Sequence, residues 1–174
     1  LGITKFKVTG GEPLVRKGCL SFLRSLKTMP GVEQVTITTN GVLLKSCLSQ
    51  LEDIGIDGIN ISLDTLNPEI YEKMTRRNEF SQVWEAIVAT QASKIRTKIN
   101  CVLLKGINDH EFFDLIHLAR DYQLDVRFIE IMPIGYGKGF GGFDKKDLLE
   151  KIAEKYPDYQ VEHKVHGNGP ASYV

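Results

Sequence analysis

Lys5-Phe6-Lys7-Val8-Thr9-Gly10-Gly11-Glu12-Pro13 is an alternating strand that runs directly into two glycines, a carboxylate and a proline. The alternation puts Lys7 and Thr9 on one side and Phe6 and Val8 on the other. Working outward, short apolar-rich segments recur: Thr4 to Thr9, Glu33 to Thr39, Gly58 to Leu63, Ile95 to Leu103 and Asp125 to Met132. Amphipathic stretches separate them: Cys19 to Met29, Leu43 to Ile54, Pro68 to Met74 with Gln82 to Ser93, and Glu111 to Tyr122, with Lys145 to Tyr156 after the last. Asn67-Pro68, Asn108-Asp109 and Asp144 read as helix starts, and Gly55 as a helix end. Such regular alternation predicts a parallel sheet with right-handed crossovers.

Extending the period of two along every strand sorts the residues by face. Lys7 and Thr9 share a side with Thr36, Thr38, Asn40, Asn60, Ser62, Asp64, Lys98, Asn100 and Arg127. The other side carries Phe6, Val8, Val35, Ile37, Ile59, Ile61, Leu63, Ile99, Cys101, Val126 and Phe128. The apolar face is where helices pack. The polar face is no dry core, because each unpaired polar group buried there would cost about 1–3 kcal/mol. A doubly wound sheet would bury both faces, so the expected fold is α/β, an incomplete TIM-like βα barrel with outer helices and a polar lumen. The segments Gly10-Gly11-Glu12-Pro13, Thr38-Thr39-Asn40-Gly41, Ser62-Leu63-Asp64, Leu104-Lys105-Gly106 and Met132-Pro133 end the strands on the rim where such barrels place their chemistry.

Lys and Arg together number 22 and so do Asp and Glu, a balance that argues neither for nucleic acid nor for a polybasic membrane surface, and neither is expected as partner. No apolar run approaches the ~20 residues a bilayer span needs, and a cytoplasmic setting is expected. Cys19, Cys47 and Cys101 are widely separated, which fits reduced thiols and fails every close metal-ligand spacing. The chain begins at Leu1 and ends in extended Pro170-Ala171-Ser172-Tyr173-Val174, which reads as a piece of a longer protein. Residues 1–174 are expected to form a single core domain, and Pro133 to Phe143, with five glycines, a mobile loop.

Two places suggest ligands. Gly10 and Gly11 leave their backbone open to close approach, and Glu12, restrained by Pro13, offers one fixed negative charge, which suits a cationic amine. Lys7, Lys98 and Arg127 form an inward cluster of three cations with no inward carboxylate at the same depth, which suits phosphate or carboxylate. The alternative is that Asp64 or Glu130 pairs with them at the rim. His163 and His166 point to opposite faces of an extended segment, which argues against a metal site. His110 and His117 are expected on the surface, and Trp84, Phe112 and Phe113 in the core.

Lys7-Val8-Thr9-Gly10-Gly11-Glu12-Pro13-Leu14-Val15-Arg16, Thr38-Thr39-Asn40-Gly41, Asn60-Ile61-Ser62-Leu63-Asp64, Lys98-Ile99-Asn100, Lys105-Gly106-Ile107-Asn108-Asp109 and Arg127-Phe128-Ile129-Glu130-Ile131-Met132-Pro133 carry a resemblance. Together they resemble the middle of a radical S-adenosylmethionine (SAM) enzyme, specifically the GTP 3',8-cyclase family of molybdenum cofactor biosynthesis. The resemblance implies that Gly10, Gly11 and Glu12 hold the methionine amine of SAM, Ser62 its polar groups, and Met132 its adenine through the backbone. It implies that Lys7, Thr38, Lys98 and Arg127 bind GTP.

The family's N-terminal Cys-x3-Cys-x2-Cys and its C-terminal cysteine set, which hold [4Fe-4S] clusters, are not in this sequence. The resemblance therefore implies a parent that takes a ribose 3' hydrogen from GTP by a 5'-deoxyadenosyl radical and joins C3' to C8. This piece alone is expected to be inactive. It also implies product hand-off to cyclic pyranopterin monophosphate synthase. The sequence leaves the oligomeric state open, a homodimer included. Two rival readings stand beside it: another radical SAM enzyme of the peptide-modifying type, and a nucleotide-binding domain without clusters.

Overall fold

The computed structural model describes residues 2–132, 139–162 and 171–174. Strands β1 (Lys5–Val8), β2 (Gln34–Thr39), β3 (Gly58–Ser62), β4 (Arg96–Cys101) and β5 (Leu124–Phe128) pair in parallel, in the order β1-β2-β3-β4-β5. Helices α1 (Cys19–Thr28), α2 (Leu44–Ile54), α3 (Pro68–Thr75), α4 (Phe80–Thr90) and α5 (Phe112–Asp121) fill the crossovers, and α6 (Lys145–Lys155) follows β5. Each strand lies beside its predecessor with no reversal of order, as in a βα barrel and unlike a doubly wound sheet. The fold is the expected part-barrel. Among the described residues no helix is long and apolar enough to cross a membrane.

The outer face builds the core. Val35, Ile37, Ile59, Ile61 and Ile99 are at most 1 % exposed and join one cluster with Leu23, Leu44, Leu51, Val83, Ile87 and Leu115 from the helices. Phe6, Val8, Val126 and Phe128, on the two outermost strands, are partly buried against the same cluster. Gly41, at φ +86°, sits where a Cβ would lie 3.0 Å from Val83 Cγ1 and 3.1 Å from Ile61 Cγ2. The turn after β2 can therefore press against α4 only as glycine.

Helices start at all three expected places, and in two of them the side chain caps the helix. Asn67 Oδ1 accepts from the Glu69 and Ile70 amides at 2.8 and 3.2 Å, with Pro68 opening α3. Asp144 and Asp147 form a capping box on α6. Asn108 precedes the helical turn Asp109–Glu111 that leads into α5, as expected, but its side chain makes no cap. Its Oδ1 accepts from Leu104 N, and its Nδ2 donates to the Asp64 and Val102 carbonyls at 2.6 and 2.9 Å, so it pins the loops after β3 and β4 together. Gly55 ends α2 as expected.

Strand β5 stops at Phe128, short of the expected Met132. Beyond it only Ile129 N still bonds to Cys101 O, and Glu130 Oε1 turns away to accept from Lys145 N at the start of α6. Of the glycine-rich segment 133–143, residues 133–138 lie outside the described residues, as do His163 and His166. Trp84 and Phe113 pack against the core, Phe112 lies within it, and His110 is exposed, as expected. His117 is half-buried, bonded to Tyr156 Oη at 2.9 Å.

Candidate functional site

Parallel register turns the polar face into rows. One row runs Lys7, Thr36, Gly58, Arg96; the next Thr38, Asn60, Lys98, Asp125; the third Ser62, Asn100, Arg127. The four residues expected to hold a nucleotide thus fall on one face. Thr38 and Lys98 share a row, with Lys7 one row nearer the strand starts and Arg127 one row nearer the strand ends. A cleft of about 330 Å³ opens over the first rows. Lys5, Lys7, Arg96, Lys98 and Arg127 line it, against one lining carboxylate among the described residues, Asp57. Asp57 is committed elsewhere, to Lys27 Nζ at 2.8 Å and the Val35 amide at 2.6 Å. The cleft is therefore strongly cationic, the condition that favours a polyanion.

The expectation of no inward carboxylate at the depth of the cations is overturned by Asp125. Its Oδ2 lies 2.6 Å from Lys98 Nζ in a close ion contact, with the Lys98 side chain 10 % exposed. Asp125 stands two residues before Arg127, so the period of two already put it on this face. Neither carboxylate considered for the rim takes this part. Asp64 Oδ1 accepts from Val102 N at 2.8 Å, burial pushes its carboxyl pKa up, and Glu130 is held by Lys145 N. A second partner arrives from the end of the chain. Lys98 Nζ donates to Tyr173 Oη at 2.8 Å and Arg127 Nη2 to the same oxygen at 3.4 Å, with Lys98 also 5.0 Å from the Tyr173 ring centre.

Among the described residues three buried atoms here have no hydrogen-bond partner: Asn100 Oδ1, Arg127 Nε and Asp125 Oδ2, the last in ion contact with Lys98. The first two belong to neighbouring residues, since Asn100 pairs with Arg127 in register. An unmet acceptor and an unmet charged donor side by side fit an incoming ligand or water better than a finished core.

The rim is differently made. Glu12 Oε1 accepts from Leu14 N at 3.0 Å and Thr39 Oγ1 at 2.7 Å, and its Oε2 from Asn40 N at 2.6 Å. A carboxylate has about four acceptor positions, so the side chain is fixed with one direction left open on Oε2. Gly10 has φ +153°, and a Cβ on either Gly10 or Gly11 would meet only open space. This rim therefore fits an amine-bearing chain lying on the backbone. Ser62 is exposed at the end of β3, and Met132 is 68 % exposed beyond β5.

Cys19 and Cys101 are buried, burial raises both thiol pKa values, and Cys47 is half-buried. Among the described residues no three His, Cys, Asp or Glu side chains gather as a metal site. The residues present thus fit SAM and do not fit an iron–sulfur cluster.

Four groups escaped the sequence reading, two lining the cleft and two beside its cations. Lys5 and Arg96 lie two positions before Lys7 and Lys98, and Asp125 two before Arg127, a spacing that could have found all three. Tyr173 carried no such signal.

Comparisons with known proteins agree with the fold. The chain is 48 % identical over 175 residues to a GTP 3',8-cyclase of Petrotoga mobilis, covering 98 % of this chain and 54 % of that protein. It is 38 % identical over 174 residues to a GTP 3',8-cyclase of Clostridium perfringens (strain 13 / Type A), covering 100 % and 54 %. A molybdenum cofactor biosynthesis protein of Caenorhabditis elegans is 42 % identical over 161 residues, covering 90 % and 26 %. The chain spans about half the length of the bacterial relatives it matches. Among solved structures, archaeal TYW1 matches with a TM-score of 0.64 at 16 % identity, covering 93 % of this chain and 53 % of that one. Coproporphyrinogen III oxidase from Escherichia coli matches at 0.61 and 13 %, covering 92 % and 41 %. These two likenesses concern the fold alone. The family model described as the radical SAM superfamily matches residues 1–119, and the chain belongs to that superfamily.

Proposed function

We propose that this chain is the central part of a GTP 3',8-cyclase acting in molybdenum cofactor biosynthesis, with SAM on the rim and GTP in the lumen. The observation that carries the nucleotide half is the cleft lined by five cations, with Arg127 Nε left unmet beside Asn100. The relatives named GTP 3',8-cyclase support the same half. On this reading Gly10, Gly11 and Glu12 hold the methionine amine, Ser62 contacts polar groups of SAM, and Met132 meets its adenine by its backbone. Lys7, Thr38, Lys98 and Arg127 hold GTP.

When bound, SAM supplies the radical chemistry of the superfamily. The chain's own residues bind and orient. Glu12, tied by three donors, fixes the position of the amine. Lys7 and Arg127 meet phosphate with full charge, while Lys98, already beside Asp125, contributes direction more than net charge. The superfamily implies an iron–sulfur cluster, and no step is derived through it because the cysteines of this chain do not form its site. Inactivity of this chain alone belongs to the same proposal, as do a single core domain over residues 1–174, a cytoplasmic setting, a homodimer and hand-off of product to cyclic pyranopterin monophosphate synthase.

Asp125 favours a second reading, a radical SAM enzyme whose lumen takes a ligand with its own cationic group, such as a peptide. Titration calorimetry of GTP and of SAM against the full chain separates the two. We expect both to bind, and Arg127→Ala to weaken GTP at least about 10-fold, the size of a lost hydrogen bond to a charged group, while SAM is unaffected. A folded chain that binds SAM but not GTP would leave the superfamily and remove the nucleotide.

A further inference from the structure

We propose that Tyr173 is a positioning residue of the anion site in the lumen. Its hydroxyl oxygen gathers Lys98 and Arg127 onto one point and leaves the Nε edge of Arg127 for a ligand phosphate. The site rests on the contacts described above, and only the naming of the phosphate as part of GTP rests on the proposed function. Lys98 and Arg127 come from different strands and different rows, and two like charges in a partly buried cleft repel. One oxygen that accepts from both, at 2.8 and 3.4 Å, draws them together.

The guanidinium is then half used. Its Nη2 makes the long contact to Tyr173, and its Nε is buried with no hydrogen-bond partner among the described residues. A tetrahedral phosphate offers several oxygens where the phenol offers one, so it can meet the donor that Tyr173 leaves over.

The segment bearing Tyr173 is itself held in place. Glu162 N donates to Tyr173 O at 2.8 Å in an antiparallel bridge, and Lys145 Nζ donates to Ser172 Oγ at 2.9 Å. Among the described residues the charged groups around the hydroxyl are therefore Lys98 and Arg127 against it, Asp125 behind Lys98, and Lys145 and Glu162 along its own segment. Burial alone would raise the phenol pKa, yet the hydrogen bonds from Lys98 and Arg127 overcome it and lower the value. The point occupied by the hydroxyl oxygen is thus one where negative charge is stabilised.

The experiment uses the full chain, with inorganic triphosphate and GTP as probes and Tyr173→Phe as the variant, which keeps the ring and loses the oxygen. We expect both probes to bind about 3- to 10-fold more weakly to the variant, the range of one net hydrogen bond. The second measurement needs no variant: tyrosinate absorbance against pH, with and without triphosphate. A bound phosphate shares the two cations with Tyr173, so the earliest-titrating tyrosine moves to higher pH when triphosphate is present, and a purely structural tyrosine does not move. Equal affinities for both probes together with an unmoved titration would overturn the role of Tyr173 and leave the nucleotide reading standing. Triphosphate binding that depends on Tyr173 while GTP fails to bind would keep the anion site and remove the nucleotide reading. Failure of both probes on the folded wild-type chain overturns both.

Discussion

The two faces of the sheet are built from the same strands and differ in how far each completes itself. On the outer face, Ile37, Ile61 and Ile99 are wholly buried by helices that the same chain supplies, and nothing further is required. On the inner face, Lys98 needs Asp125 and Tyr173, and among the described residues Asn100 Oδ1 and Arg127 Nε have no hydrogen-bond partner. The contrast separates residues that make the fold from residues that wait for something else. Tyr173 shows that the waiting face recruits distant parts of the chain to hold its charges.

The contrast can be broken most sharply at its apolar extreme. Ile61→Ala is expected to lose about 2–5 kcal/mol of stability, the cost of a cavity in a closed core, read from the midpoint of urea unfolding. A loss near zero would mean that the outer face is not the closed unit described. The polar extreme gives a smaller effect of a different kind. Arg127→Met removes a partly buried charge that the fold holds, among the described residues, only by the long contact to Tyr173, so stability is expected to stay within about 1 kcal/mol while GTP affinity falls, by calorimetry beside urea melts. A large loss of stability would make Arg127 a structural residue.

The smallest effect falls on Asp64, which sequence places on the inner face but whose bonds serve the loops. Burial raises its pKa, against the opposing Val102 amide, so the folded state favours the neutral form. Its contribution is present below the ordinary carboxyl range and is lost as pH rises through the raised folded value. Asp64→Asn keeps an oxygen for Val102 N and is expected to raise Tm at pH 7 and to change nothing near pH 3. Equal melting shifts at both pH values would remove burial as the cause.

Most of this division was readable before any coordinates. A period of two assigned Val35, Ile37, Ile59, Ile61 and Ile99 to the core and Lys7, Thr38, Lys98 and Arg127 to the lumen, because strand geometry leaves side chains no other choice. Asp125, two residues before Arg127, is equally readable by the same period. Tyr173 was not readable, since it reaches Arg127 across 46 residues and no local pattern encodes that return. The misplaced end of β5 and the unused cap at Asn108 have one cause. Glu130 and Asn108 have strong local preferences, and each found a better partner in a neighbouring loop or helix.

Glu12 has a consequence for the thermodynamics of the rim. Three donors immobilise its carboxylate during folding, before any ligand arrives. A free glutamate that seized an amine would surrender about 0.5–1.5 kcal/mol of side-chain freedom at that moment. Here the loss is charged to the entropy of folding, so an amine meeting Oε2 finds a stationary charge, and the association is expected to show a correspondingly small entropic penalty.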